Sequence, residues 1–183
     1  GGGKGTQAQI LRDSLNIPHL STGEMLRAAG RAGTEVGLQA KALIDKGCFV
    51  PDEMIISIIS ERLEQDDCKE GFILDGFPRT LPQAKALDTL LFEKGLRLDH
   101  VIEIQVPEDL IIQRIIGRFS CADCGAMYHD TFKPTKTFGV CDSCGGTHMI
   151  RRQDDNWVTV VSRLKTYNSI TTPVLPYYEY QGL

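Results

Sequence analysis

The sequence predicts an α/β fold, a parallel sheet flanked by helices, with two inserted modules: one helical, the other small, β-rich and pinned by a metal. Three observations lead there. Gly1-Gly2-Gly3-Lys4-Gly5-Thr6 is a glycine-rich loop that runs into a helical pattern. Apolar strand-like segments alternate with helical ones further on, an order that favours parallel strands with both faces covered. Four cysteines stand as Cys121-x2-Cys124 and Cys141-x2-Cys144, knuckles whose spacing matches tetrahedral thiolate ligation.

The glycines expose successive amides to phosphate oxygens, Lys4 adds a cation, and the helix start adds its positive dipole end. Thr6 can orient a phosphate or reach Mg2+, although Gly5 separates it from Lys4 where the generic loop has Ser or Thr directly after the lysine. Ala8, Ile10, Leu11 and Leu15 give the helix Thr6–Leu15 its apolar residues. Such a loop normally follows a buried strand, so a first strand and a leading glycine are expected ahead of Gly1. The end at Tyr180-Gln181-Gly182-Leu183 reads as similarly unfinished.

Ser21 or Thr22 caps a helix that begins near Glu24 and carries Arg27 on its first turns. Residues 21 to 50 read as short helices broken at Gly30, Gly33, Gly37 and Gly47, a movable module. Pro51-Asp52-Glu53 opens the next helix, with proline suited to the first turn and two acids complementing the dipole; Met54, Ile55, Ile58, Ile59 and Leu63 are its apolar face. Phe72–Leu74 is a buried strand that ends in Asp75-Gly76-Phe77-Pro78-Arg79, and its carboxyl end is a ligand edge. A helix from Leu81 or Pro82 to about Leu91 carries Gln83, whose amide suits a base edge, although a lone helical glutamine usually faces solvent. His100–Val106 reads as another strand. The helix opened by Pro107-Glu108-Asp109 runs through Arg118 and places Arg114 and Arg118 on one face. The cysteine insert, about Gly117 to Asp155, holds short antiparallel strands such as Ala126-Met127-Tyr128-His129, and residues 156–180 resume a helical pattern with Val160, Val161, Leu164 and Tyr167.

At 183 residues, 42% hydrophobic and a formal charge of -4, the chain can bury one sizeable core and has no general attraction for nucleic acid or anionic membranes. No apolar run reaches a membrane span. Anion sites must come from clustered arginines and amides. Arg79, Arg114, Arg118, Arg152 and Arg163, if they converge, form a clamp for the charge of two nucleotides. Asp75 is a candidate for holding magnesium through water or for ordering the phosphate loop. Asp154 and Asp155 brace a lid, meet an arginine or form a solvated helix cap.

Two knuckles argue for metal ligation in a reducing cytoplasm rather than for disulfides, and four thiolates leave no open position, so the zinc is structural. Cys48 and Cys68 stand apart as incidental thiols. A zinc ribbon that reads nucleic acid stays open, since the insert holds Tyr128, Phe132, Lys133 and Lys136 but no dense basic stripe. His19, His100, His129 and His148 make no metal-spaced pair; His129 and His148 are available for supporting contacts in the insert.

Taken together, Gly1 to Thr6, Ser21-Thr22-Gly23, Asp75-Gly76-Phe77-Pro78-Arg79, Gln83, Gly117-Arg118 and Arg152-Gln153-Asp154-Asp155 make the chain resemble the adenylate kinases, specifically the bacterial-type long-lid form with a four-cysteine zinc-binding lid. The resemblance implies a P-loop nucleoside monophosphate kinase fold. Its core would be 1–20, 51–116 and 156–183, its AMP-binding module 21–50 and its zinc-binding lid 117–155. It implies AMP against Thr22, Arg27, Val50, Gly76, Arg79 and Gln83, and donor phosphates at Gly1, Gly2, Gly3, Lys4, Gly5 and Thr6. Arg114, Arg118, Arg152 and Arg163 would surround the reacting groups, with Lys4 following the transferred phosphoryl. Structural Zn2+ at Cys121, Cys124, Cys141 and Cys144, Mg2+ with ATP, and a cytoplasmic monomer complete the implication. Glu24 departs from the aspartate common after Ser-Thr-Gly, and Phe119 from the basic residue that often follows Arg118. The implied reaction is Mg·ATP plus AMP giving two ADP. GTP:AMP transfer and a noncatalytic zinc-stabilised nucleotide-binding protein are the alternatives; relatives that prefer UMP or CMP generally have a short lid without the cysteine insert.

Overall fold

The computed structural model describes residues 2–33, 35–45 and 50–183. In chain order come α1 (Lys4–Leu15), β1 (His19–Ser21), α2 (Thr22–Arg31), α3 (Glu35–Asp45), α4 (Asp52–Leu63), β2 (Ile73–Asp75) and α5 (Leu81–Glu93). Then follow α6 (Glu108–Ile116), β3 (Arg118–Cys121), β4 (Met127–His129), β5 (Met149–Ile150), α7 (Trp157–Thr166) and α8 (Val174–Glu179). Two compact units emerge, one of Gly3–Ile104 with Lys165–Leu183, the other built on Gln105–Leu164. No described helix is long and apolar enough to cross a membrane.

In the first unit β1 and β2 run parallel, His19 opposite Ile73, Leu20 opposite Leu74 and Ser21 opposite Asp75. Both strands therefore end side by side, and the segments that leave them, Thr22 and Gly76, start at one edge. The core beneath is a stripe on each of two helices. Ile55, Ile59 and Leu63 recur every four residues along α4, and Gln83, Leu87 and Leu91 do so along α5, with Ala84 buried beside them. These helices join Leu20, Leu26, Cys68 and Phe77 in one cluster, where a fully buried aliphatic side chain contributes about 2 kcal/mol. Thr80 caps α5 by accepting the Gln83 N–H at 3.2 Å, just ahead of the Leu81-Pro82 start read from the sequence. A smaller cluster of Ala84, Val174 and Tyr178 holds α8.

Three expectations are corrected here. Of the glycines read as helix breaks, Gly30 lies inside α2 and Gly37 inside α3; Gly33, with φ 74°, is the described one that sits between helices, while Gly47 and Cys48 lie outside the described residues. Gly37 serves close approach: a Cβ there would stand 2.1 Å from the Ala29 carbonyl carbon and 2.5 Å from the Gly30 nitrogen, both backbone. Gly37→Ala must therefore push α3 off α2. We expect it to destabilise the protein by about 2 kcal/mol, read as a lower denaturant midpoint, and a wild-type midpoint would refute the close packing. Second, His100–Val106 forms no strand. A strand exists by pairing, and among the described residues the sheets are β1-β2 and β4-β3-β5, neither of which includes this segment; Val101 packs on the α8 cluster while Ile102 stays exposed.

The third correction falls in the second unit. α6 stops at Ile116 with Gly117 as its cap, and Arg118 is the first residue of β3, so Arg114 and Arg118 do not share a helix face. Pairing decides this: Arg118 stands opposite His129 on β4, and β5 completes a three-stranded antiparallel sheet in the order β4-β3-β5. A Cβ on Gly117 would lie 2.5 Å from the His129 ring, so glycine is what lets the chain turn from helix to strand there. The insert's core is small, with Cys121, Tyr128 and Cys141 buried against Phe119, Ala126 and Met149.

Candidate active site and metal centre

At the carboxyl edge of β1 and β2 the first unit gathers most of the residues read from its sequence. Gly3 caps α1 with φ 84°, a left-handed conformation that glycine adopts without strain. The first helical bond inside that turn is Gln7 N–H to Gly3 O at 3.0 Å, so the amides of Lys4, Gly5 and Thr6 have no acceptor within the helix, an arrangement whose dipole end suits an anion. Gly1 lies outside the described residues. Asp75 faces this loop, its Oδ2 3.8 Å from where a Gly5 Cβ would be. The same oxygen meets His19 Nε2 at 3.2 Å, a partner that the sequence did not single out.

Beyond Asp75 the chain turns through Gly76, φ 84°, and a cis Phe77–Pro78 peptide. A Cβ on Gly76 would meet Arg79 Nη2 at 3.1 Å and Thr22 Oγ1 at 3.3 Å, so these three residues are mutually packed. Ser21 rather than Thr22 is the N-cap of α2, and the buried Thr22 turns its hydroxyl to the Asp75 carbonyl at 3.4 Å. Arg79 donates Nε–H to Gly76 O at 2.7 Å, and its backbone N–H donates to Gln83 Oε1, also at 2.7 Å.

Gln83 is fully buried, not solvent-facing, and its amide donates to Asp52 Oδ1 at 2.5 Å. Burial obliges the amide to find partners, and Asp52, read from sequence as a helix-dipole acid, provides one. Arg27 is held by Glu24, which accepts from Nη2 at 2.8 Å and from Nε at 3.1 Å, so the departure at position 24 keeps an arginine partner. Val50 has its side chain in the core.

The second unit holds its arginines by buried acids. Arg118 makes a two-pronged pair with Asp155, Nε to Oδ2 at 2.8 Å and Nη2 to Oδ1 at 2.6 Å, while Arg163 Nη1 meets Asp154 Oδ2 at 3.0 Å. Asp154 and Asp155 are both buried, which overturns the solvated-cap reading. An acid so held fixes the guanidinium plane. Arg114 is half-buried on α6, and Arg152 is half-buried just before these acids.

The four cysteine Sγ atoms lie within 4.8 Å of one another, with Cys121 and Cys144 3.6 Å apart and Cys124 and Cys141 3.5 Å apart. Thiolates around zinc at ~2.3 Å would stand ~3.8 Å apart, so the group fits a zinc tetrahedron. The two knuckles are built alike. Gly125 N–H bonds Cys121 O at 3.0 Å and Gly145 N–H bonds Cys141 O at 2.9 Å, each glycine at positive φ. These glycines directly follow Cys124 and Cys144 and were a sequence signal not used. The Tyr128 hydroxyl, assisted by the Ser143 and Cys144 amides, brings the Cys141 thiol down to about 6. Cys144 has a bond from the Gly146 amide, yet its neighbours Cys124, Cys121 and Cys141 push it up to about 12. A divalent cation at the centre of the group relieves the mutual effect of these neighbouring thiols.

His129 stands apart from the cysteines. Its Nδ1 accepts from Thr131 N–H at 3.0 Å and Phe132 N–H at 3.1 Å, leaving Nε2 to donate to Gln113 O at 3.1 Å. It therefore ties the loop after β4 to the last turn of α6. Tyr128 is buried, so its ring cannot stack on bases as a nucleic-acid ribbon would need.

The adenylate kinase family model matches residues 1–183. The chain is 55% identical over 182 residues to the adenylate kinase of Paramagnetospirillum magneticum, a match that covers 100% of this chain and 84% of that protein. Against the adenylate kinase of Rhizobium etli the identity is 54% over 182 residues, again 100% and 84%; against that of Enterococcus faecalis it is 52% over 183 residues, 100% and 85%. With a glycine-rich turn opening a helix, an arginine-bearing turn after the parallel strand and a four-cysteine insert in one sequence, the chain belongs to the adenylate kinase family.

Proposed function

We propose that this chain catalyses reversible phosphoryl transfer from Mg·ATP to AMP, giving two ADP, as a monomer in a reducing cytoplasm. The observation that carries the reading is the shared edge of β1 and β2, where Asp75, Gly76, Arg79, Thr22 and Gln83 interlock beside the amino-terminal turn of α1. Residues 21–50 serve as the AMP-binding module and 117–155 as the lid.

In this mechanism the donor phosphates lie against Gly2, Gly3, Lys4, Gly5 and Thr6, with Gly1 as the further loop residue. Backbone N–H groups there stabilise charge on the transferred group without reorganising. AMP is held by Thr22, Arg27, Arg79 and Gln83 and by the backbone of Gly76 and Val50, Val50 having its side chain in the core. Arg114, Arg118, Arg152 and Arg163 bind the phosphates as charge spreads over the equatorial oxygens, and Lys4 follows that charge. Asp154 and Asp155 hold Arg163 and Arg118 in orientation. Asp75, an oxygen donor beside the phosphate loop, suits the water shell of magnesium, an ion that neutralises phosphate charge when bound. Positioning and charge stabilisation supply the catalysis, and no covalent enzyme intermediate is needed.

The test is ADP formation from Mg·ATP and AMP, with Mg·GTP and AMP in parallel. Turnover with ATP is expected. Preference for GTP would reassign the donor, and absence of ADP with either would reduce the function to nucleotide binding.

A further inference from the structure

We propose that Tyr128 is a positioning residue of the metal centre, whose hydroxyl orders Cys141 Sγ as a ligand for zinc. The direction of its hydrogen bonds follows from counting protons. Tyr128 Oη receives the Asp142 N–H at 2.7 Å, an amide that can only donate. A phenol has a single proton, and once Cys141 ligates as a thiolate its sulfur has none to give, so that proton is the one directed to Cys141 Sγ, 3.3 Å away.

The ring cannot swing out of this arrangement. It is buried on β4, stacks on Phe119 with centroids 5.6 Å apart and planes at 21°, and has Lys133 Nζ 5.4 Å from its centroid. Arg151 lies 5.4 Å from the Phe119 ring centroid. Phe119, the departure from a basic residue, is thus a packing partner of the tyrosine. Among the described residues Cys141 is the cysteine with a side-chain hydroxyl in reach; the Cys121 side-chain contact outside the cysteines is the Asp123 carboxylate at 3.8 Å, an acceptor. The four ligands therefore define the tetrahedron unequally, and the buried Cys141 is its ordered corner.

Zinc affinity of the full chain, measured by competition with a chromophoric chelator, tests this, together with the sulfur-to-metal absorption band of the Co2+ form. Tyr128→Phe keeps the ring, its burial and its stack. It is expected to weaken zinc binding by about 10–100-fold and to move the Co2+ band to longer wavelength, because the thiolate loses a hydrogen bond. Phe119→Leu removes the stacked face but leaves the hydroxyl, and is expected to keep wild-type affinity and band. Unchanged affinity in Tyr128→Phe overturns the proposal, and so does an equal loss in both variants, which would trace the effect to packing.

Discussion

Arg79→Ala is expected to lower kcat for ADP formation by about 10³-fold, the low end of what a phosphate-binding arginine contributes to phosphoryl transfer, and to shift the melting temperature by no more than about 3 °C. The separation follows from which bonds the substitution removes. Arg79 is tied to the fold through its backbone, whose N–H donates to the buried Gln83 at 2.7 Å, and alanine keeps that bond. Among what goes is the Nε–H to Gly76 carbonyl contact, worth about 1 kcal/mol, within a turn whose geometry is already set by Gly76 at φ 84°. A guanidinium fixed this way costs little to reorganise when charge moves in the reacting phosphates. Turnover and thermal melting measured on the same preparation decide the matter. Near-wild-type turnover would remove Arg79 from the chemistry, and a collapsed melting temperature would make it a structural residue.

What the sequence made legible were features contained within a few residues. The glycine run before α1, the acids opening α4 and α6, and the paired knuckles each state their local structure because every interaction they need is close by in the chain. The partners that orient the site residues were illegible, since each comes from a distant segment: His19 for Asp75, Asp52 for Gln83, Asp155 for Arg118. Asp52 read as a dipole-complementing acid because its local role is complete without Gln83. Gln83 read as exposed because a polar residue on a helix says nothing of the acid that will receive it in the core. Arg118 was assigned to α6 because Ile115-Ile116-Gly117 continues an apolar helical pattern; pairing with β4 ends the helix, and that is a tertiary event. His100–Val106 fails for the converse reason, having apolar residues but no place in either described sheet. Tyr128 could have been found, since a buried tyrosine needs a partner for its hydroxyl and two cysteine knuckles were already on the page.

Cys121→Ser is expected to abolish stoichiometric zinc binding and to release the insert from its fold while the first unit stays native. The insert's apolar core is Cys121, Tyr128 and Cys141 with Phe119, Ala126 and Met149, two of them cysteines that lose their role as metal ligands if the site is broken. So small a cluster cannot offset the conformational entropy of the loops around it; structural zinc contributes on the order of 10 kcal/mol to folding where it is bound by four ligands. Serine keeps the backbone bond from Cys121 N–H to Ala126 O, so any loss reports the ligand and not the strand. Hydrogen exchange should therefore rise across β3, β4 and β5, while amides of α4 and α5, packed around Ile59 and Leu87, keep wild-type protection. In the proposed mechanism Arg118 and Arg163 act while held by acids just beyond β5, so turnover is expected to fall as well, through geometry and not through lost charge. Chelation of zinc from the wild-type chain should reproduce the same exchange pattern. One tightly held zinc per chain in the serine variant would contradict the four-thiolate centre, and uniform exchange across both units would show that the metal stabilises the whole molecule rather than this module.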